Sequence, residues 1–170
     1  MSTAAHATGA PRHWEPGSQA LKQAARDVLA AQAIQWTDLR ESVFDALAGG
    51  GQPLSAYDVA DRVSAITGRR IAANSVYRIL DLFVGANLAK RVESRNAYVL
   101  NIHPNCAHDC IFLICEACGR IAHMDDDSLA DRMRLQARAS GFTPGRAVLE
   151  LQGRCTACSA PATAHPTVQA

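Results

Sequence analysis

Two cysteine pairs, Cys115-x-x-Cys118 and Cys155-x-x-Cys158, carry the most legible chemistry of this chain. Each pair is a tight knuckle that can present two thiolates to one ion. Together the knuckles complete the tetrahedral sulfur cage that zinc prefers. A single pair would serve equally well as a redox dithiol, whereas two in one cytosolic chain point to metal. Packing of reduced thiols, redox chemistry and an iron–sulfur cluster are the alternatives. A cage closed by four protein ligands leaves no position for substrate, so this zinc is expected to hold structure and the function to lie in other residues.

The elements that must position the knuckles follow from the residues around them. Apolar Ile111–Ile114 reads as a strand running into the first knuckle. Between the knuckles there is room for a strand Ile121–Met124, a helix Asp127–Ser140 and a strand Ala147–Leu151. The metal would therefore staple both ends of a small α/β unit.

Upstream, residues 1–17, with Pro11, Pro16 and Gly17, read as a disordered tail. Ser18 can cap a helix with Leu21, Ala25, Val28 and Leu29 on one face, ending near Ile34. Thr37 caps a second helix with Asp38 at its positive end and Leu39, Val43, Phe44 and Leu47 inward. Ser55 with Asp58 forms a capping box for a third, whose inward residues are Val59, Val63 and Ile66 and which ends at Thr67-Gly68. Asn74 can cap a fourth, with Val76, Ile79, Leu80 and Phe83 inward, closing at Gly85. Two short amphipathic helices joined by a polar turn make a helix-turn-helix. Leu88–Val92 and Ala97–Leu100 around a Glu93–Asn96 turn add a hairpin, which makes the whole a winged helix.

That architecture gives meaning to local charge. The chain as a whole has 17 basic and 16 acidic residues and a net charge of +1, which selects no partner. Yet Arg62, Arg69, Arg70, Arg78, Lys90, Arg91 and Arg95 face only Asp81 and Glu93 in the same stretch. In a winged helix most of these arginines lie on or beside the surface that meets DNA, where phosphate contacts supply most of the affinity. Arg78 has the fork that suits guanine O6 and N7, and Tyr77 lies beside it near the start of the fourth helix.

The expected layout is a disordered tail over 1–17, a winged-helix domain over 18–100, a hinge over 101–109, a zinc-stapled dimerisation and metal-binding domain over 110–158, and a second tail over 159–170. The fold class is α+β. Residues 1–17 lack a basic stretch followed by an apolar run, and no apolar run is long enough to span a bilayer, so the expected location is the cytoplasm, with no membrane partner. An enzyme is not expected. Zinc deaminases carry a proline directly before the cysteine pair, whereas Ile114 and Arg154 stand there in this chain, and neither a nucleophile elbow nor a phosphate loop occurs.

A winged helix followed by strand, CxxC, strand, helix, strand, CxxC resembles the ferric uptake regulator family, and within it the zinc-sensing branch, the zinc uptake regulators. The resemblance covers roughly residues 18–158. It rests on Thr37-x-x-Arg40, Ser55-Ala56-Tyr57-Asp58, Ser75-Val76-Tyr77-Arg78 (where the family usually has Thr-Val-Tyr-Arg), Arg91-Val92-Glu93-Ser94 with Tyr98-Val99-Leu100, and both knuckles. It implies a homodimeric repressor of zinc-uptake genes. Such a repressor binds double-stranded operator DNA when loaded with zinc and takes no small-molecule substrate other than the metal ion. It also implies Tyr57 as a second base reader. Iron- or peroxide-sensing members are the alternative. The iron sensors carry a His/Asp-rich run before the first knuckle and a further His eight residues before the second; here those places hold Asp109–Ile114 and Ala147.

The resemblance further implies a regulatory zinc besides the structural one. His108 and His123 stand where the zinc sensors place two ligands. The other two places hold Lys90 and Asn101, which are poor zinc ligands, so His103 and Cys106 are expected to complete the set. Cys110 and Asp125 are further donors nearby. Thiolate with imidazole suits zinc better than ferrous iron.

Overall fold

The computed structural model describes residues 17–49, 52–104, 111–124, 126–145 and 147–159. Both expected tails, apart from residues 17 and 159, and positions 105–109 of the expected hinge lie outside these residues. The chain divides into two compact units, one of residues 1–50 and 54–107 and the other of residues 51–53 and 108–170.

The first unit contains helices α1 (Gln19–Ala31), α2 (Asp38–Ala48), α3 (Ala56–Thr67) and α4 (Ala73–Gly85), then strands β1 (Ala89–Val92) and β2 (Ala97–Leu100) around a 3₁₀ turn at Glu93–Arg95. Side-chain caps start the first three helices. Ser18 accepts from the Leu21 amide, Thr37 from the Arg40 amide, and Ser55 and Asp58 form the reciprocal capping box. α1 ends at Ala31, three residues before Ile34. Ala33 turns left-handed (φ 58°), and the Ile34 amide reaches back to the Leu29 carbonyl at 2.9 Å. This is a Schellman closure without glycine, and the packing of Ile34 on the core offsets the strain at Ala33.

Leu21, Ala25 and Leu29 of α1 meet Val43, Phe44 and Leu47 of α2, Val59 and Val63 of α3 and Val76, Leu80 and Phe83 of α4 in one core. Each fully buried residue of this size contributes about 1.5–3 kcal/mol. Trp36 covers the core, stacked on Phe83 at 6.3 Å and edge-on to Phe44 at 5.7 Å. Its indole N–H donates to Glu41, which also accepts from Lys22 and Arg26, tying α1 to α2.

Ile66 does not face inward; it is 58% exposed. The last turn of α3 is held by hydroxyls instead. Thr67 donates to the Val63 carbonyl, and Ser64 accepts from the amide of Ile71, which packs on that end of the core from the following turn. β1 and β2 pair antiparallel from Ala89↔Leu100 to Val92↔Ala97, and Leu54 bridges the far side of β2 at Tyr98.

The second unit is a three-stranded sheet in the order β4 (Ile121–Met124), β3 (Ile111–Cys115), β5 (Leu149–Gly153), with helix α5 (Asp127–Ala139) between β4 and β5 and a single helical turn, α6 (Thr156–Ser159), at the end. β3 runs antiparallel to β4 and parallel to β5. Its Ile111, Phe112, Ile114 and Cys115 are buried, as expected of a central strand. β5 begins two residues later than the apolar pattern suggests, because its pairing runs from Ile111↔Leu149 to Cys115↔Gly153 and so carries the strand up to the second knuckle.

Candidate metal centre and DNA-binding face

That parallel register builds the metal centre. Cys115 ends β3, and Cys155 stands two residues past Gly153, its cross-strand partner, so both knuckles emerge from one end of the sheet. The first knuckle turns back at Gly119 (φ 72°), whose amide donates to the Cys115 carbonyl at 2.9 Å. α6 winds the second knuckle, with the Cys158 amide on the Cys155 carbonyl at 2.9 Å.

The ligand atoms of Cys115, Cys118, Cys155 and Cys158 lie within 4.8 Å of one another, and all four are free thiols. Cys118 Sγ and Cys155 Sγ are 3.8 Å apart. Zinc–sulfur bonds of about 2.3 Å in a tetrahedron place neighbouring sulfurs about 3.8 Å apart, so the spacing fits zinc. Electrostatics agree with the geometry. The Cys155 amide donates to Cys115 Sγ at 3.3 Å, and this bond, with those from Cys118 and Ala117, pulls the Cys115 thiol down to about 6. Cys158, hydrogen-bonded to the sulfurs of Cys155, Cys118 and Cys115, is pushed up to about 12. One thiolate forms readily and the last resists, because four adjacent negative sulfurs need a cation. A divalent ion held by Cys115, Cys118, Cys155 and Cys158 would supply that charge and favour the thiolate form of all four.

The residues expected at a second metal site divide between described and undescribed parts of the chain. Cys106, His108, Cys110 and Asp125 lie outside the described residues. His123 is on β4, opposite Phe112, with the two rings 5.9 Å apart. His103 is only 1% exposed, within the first unit. Asn101, read from the sequence only as an unsuitable ligand, is buried, and its side chain makes three hydrogen bonds. Its amide donates to the Asn87 carbonyl at 2.7 Å and the His103 carbonyl at 3.2 Å, and its oxygen accepts from the His103 amide at 3.0 Å. Asn87 was also missed. Its signal is an asparagine just beyond a helix end, a position that often turns left-handed, as it does here (φ 60°).

The candidate DNA-binding face is centred on α4. Asn74 does not cap it; Ala72 occupies the cap position and offers no side chain, so Asn74 and Ser75 sit exposed in the first turn. Among the described residues the first turn thus has no side-chain cap at the positive end of the helix, an arrangement that suits a phosphate oxygen. Arg78 is exposed and, among the described residues, held by no ion pair. Tyr77 is half-buried, and its ring stands edge-on to Tyr57 at 6.2 Å, with Tyr57 itself 65% exposed at the start of α3. Arg69 and Arg70 are exposed in the turn between α3 and α4. Arg91 on β1 is held by the wing itself, through Asn96 at 2.9 Å and Glu93 at 3.2 Å.

One unit thus presents an open helix start, a basic turn and a tyrosine pair, and the other carries a four-sulfur cage. The model of the ferric uptake regulator family matches residues 31–152. The chain belongs to this family. Among its relatives, the zinc uptake regulation protein of Escherichia coli strain K12 is 28% identical over 142 residues, covering 83% of this chain and 82% of that protein. Two solved family structures are also similar. The holo form of XcZur aligns with a TM-score of 0.74 and 30% identity over 83% of this chain and 98% of its own. A zinc uptake regulator complexed with zinc and DNA aligns with a TM-score of 0.76 and 28% identity over 82% and 93%. The ferric uptake regulator of Helicobacter pylori, at a TM-score of 0.55 and 17% identity, shares the fold.

Proposed function

We propose that this chain is a zinc-responsive transcriptional repressor that binds operator DNA as a zinc-loaded homodimer and represses genes for zinc uptake in the cytoplasm. The observation that carries the reading is the pairing, in one chain, of a closed four-thiol cage with an open winged-helix face. It is supported by relatives that are zinc uptake regulators, one of them solved with zinc and DNA. A closed cage has no place for substrate, and the protein is read as binding DNA and metal rather than catalysing a reaction.

In this reading Cys115, Cys118, Cys155 and Cys158 hold a structural zinc that locks the dimerisation unit, because binding free energy at such a site is folding free energy. A second, regulatory zinc is held by His103, Cys106, His108 and His123. Its occupancy restrains the winged helices of the dimer, so less ordering cost remains when they meet DNA. Arg78, Tyr77 and Tyr57 read base edges, while Arg69, Arg70 and Arg91 meet phosphates.

The test is metal analysis combined with DNA binding. Purified protein should hold one tightly bound zinc and take up at least one more per chain. Zinc should strengthen binding to the promoter of a zinc-uptake gene over scrambled DNA. Binding that ignores zinc, or that responds to ferrous iron or peroxide instead, would overturn the reading.

A further inference from the structure

The chain leaving β2 is fastened back onto the end of α4 by consecutive hydrogen bonds. The Leu88 amide donates to the Phe83 carbonyl of α4 at 2.7 Å, and the Asn101 amide donates to the Leu88 carbonyl at 2.9 Å. From there side chains continue the series. Asn101 Nδ2 donates to the Asn87 carbonyl at 2.7 Å and to the His103 carbonyl at 3.2 Å, Asn101 Oδ1 accepts from the His103 amide at 3.0 Å, and Asn87 Nδ2 donates to the Pro104 carbonyl at 3.1 Å.

Asn101 is 5% exposed and His103 1% exposed, so these bonds are sheltered from water, and losing one strands a buried polar group. Asn101 uses both amide hydrogens and its oxygen, which an apolar residue, a carboxylate or a thiol could not reproduce. Asn87 adds the geometry: its left-handed backbone makes the turn out of α4, and its side chain spans to Pro104. The residues that follow Pro104 contain Cys106 and His108.

We propose that Asn87 and Asn101 form a clamp that couples zinc at the regulatory site to the recognition helix, both acting as positioning residues rather than ligands. This rests on the reading that a second zinc controls DNA binding. Without the clamp, segment 101–104 can shift independently of α4, and zinc bound beyond it no longer restrains the helix that reads DNA. With it, the carboxyl end of α4 and segment 101–104 move as one body, giving the two sites a shared element whose position both ligands bias.

The experiment uses the full-length dimer with its structural zinc retained. Operator affinity is measured with the regulatory site filled and emptied, and the affinity of that site for zinc is measured with and without operator DNA. Asn87→Gly keeps the left-handed turn, which glycine adopts freely, and removes the side-chain bond to Pro104. Asn101→Ala removes the three bonds of that side chain. In the wild type, coupling of this kind amounts to about 5–150-fold in each direction. In both variants the zinc-dependent gain in operator affinity should fall below about 5-fold, and the DNA-dependent gain in zinc affinity should fall by the same factor.

A merely structural role gives another pattern: lower thermal stability and weaker DNA binding with and without zinc, their ratio unchanged. That result, or an Asn87→Gly protein with wild-type coupling, overturns the clamp. If Asn101→Ala fails to fold, Asn87→Gly decides alone. Absence of zinc-stimulated binding in the wild type would instead overturn the proposed function.

Discussion

Arg78 and Arg91 carry the same charge in different settings, and they should fail differently. Arg78 projects from the first turns of α4 with no ion pair among the described residues, free to turn its fork toward a base. Arg91 is held in the wing by Glu93 and Asn96, an orientation suited to a phosphate oxygen. Arg78→Ala should cost about 1–3 kcal/mol on the operator and relax discrimination at one position. Arg91→Ala should weaken operator and scrambled DNA alike and lower the salt slope by about one. Binding of both variants to both DNAs across a salt series separates the roles, and equal losses for Arg78→Ala on the two DNAs would make it a phosphate clamp. For the proposed regulatory zinc, His108→Ala should keep the structural zinc and the dimer but lose zinc-stimulated DNA binding. The same is expected of His123→Ala on β4, and zinc-titrated DNA binding checks both.

At the scale of elements, α1 and α2 are joined by a polar hub as well as by their apolar faces. Glu41 accepts from Trp36, Lys22 and Arg26, and these bonds, that from Trp36 foremost, hold its carboxyl down to about 2 from an ordinary value of 4.5. Burial alone would lower Lys22, but its bonds to Asp45 and Glu41 outweigh that and raise it. The folded protein thus keeps Glu41 ionised where the unfolded chain would protonate it. The hub's contribution is complete above the unfolded value of 4.5 and is lost as pH falls from there toward about 2. With a third of the Glu41 side chain in water, that contribution is about 1 kcal/mol. Glu41→Gln should therefore melt below the wild type at neutral pH, and the gap should narrow below pH 4.5 and close only as pH falls through about 2. Fluorescence of Trp36, with Trp14 replaced by Phe, reports this melting directly. A gap that stays constant with pH would show that the ionised form carries no advantage.

For the molecule as a whole, the sulfur cage decides whether the second unit persists. Among the described residues its sheet has three strands, and α5 buries little beyond Ala130, while Leu135, Phe142 and Leu151 are mostly exposed. So small a core needs a staple, and the four thiols provide one. Cys155→Ser should lose the tightly held zinc and fail to dimerise, leaving the winged helix folded. Metal analysis with analytical ultracentrifugation checks the first two, and the Trp36 signal the third. A stable, zinc-free dimer of Cys155→Ser would contradict this account.

Much of this was legible from residue types and spacing. The helix starts at Ser18, Thr37 and Ser55 were readable because capping needs only residues three apart. The two knuckles were readable because zinc chemistry accepts few ligand patterns. Where reading failed, the cause was contact between residues far apart in the chain. Ile66 fits the inward face by periodicity, yet Ile71 packs on that end of the core from the turn. Asn74 looks like a cap, but the helix starts at Ala73, leaving its first turn open. β5 is displaced toward Gly153 because the parallel register with β3, rather than its own apolar residues, decides where pairing ends. Asn101 is the clearest case. By residue type it is a weak metal ligand on an exposed-looking linker. Only the folded chain places it in a buried site between Asn87 and His103, where a neutral amide satisfies three backbone groups at once. Local chemistry is written in local sequence, whereas the polar partners of a buried side chain are chosen by the packing of the whole unit.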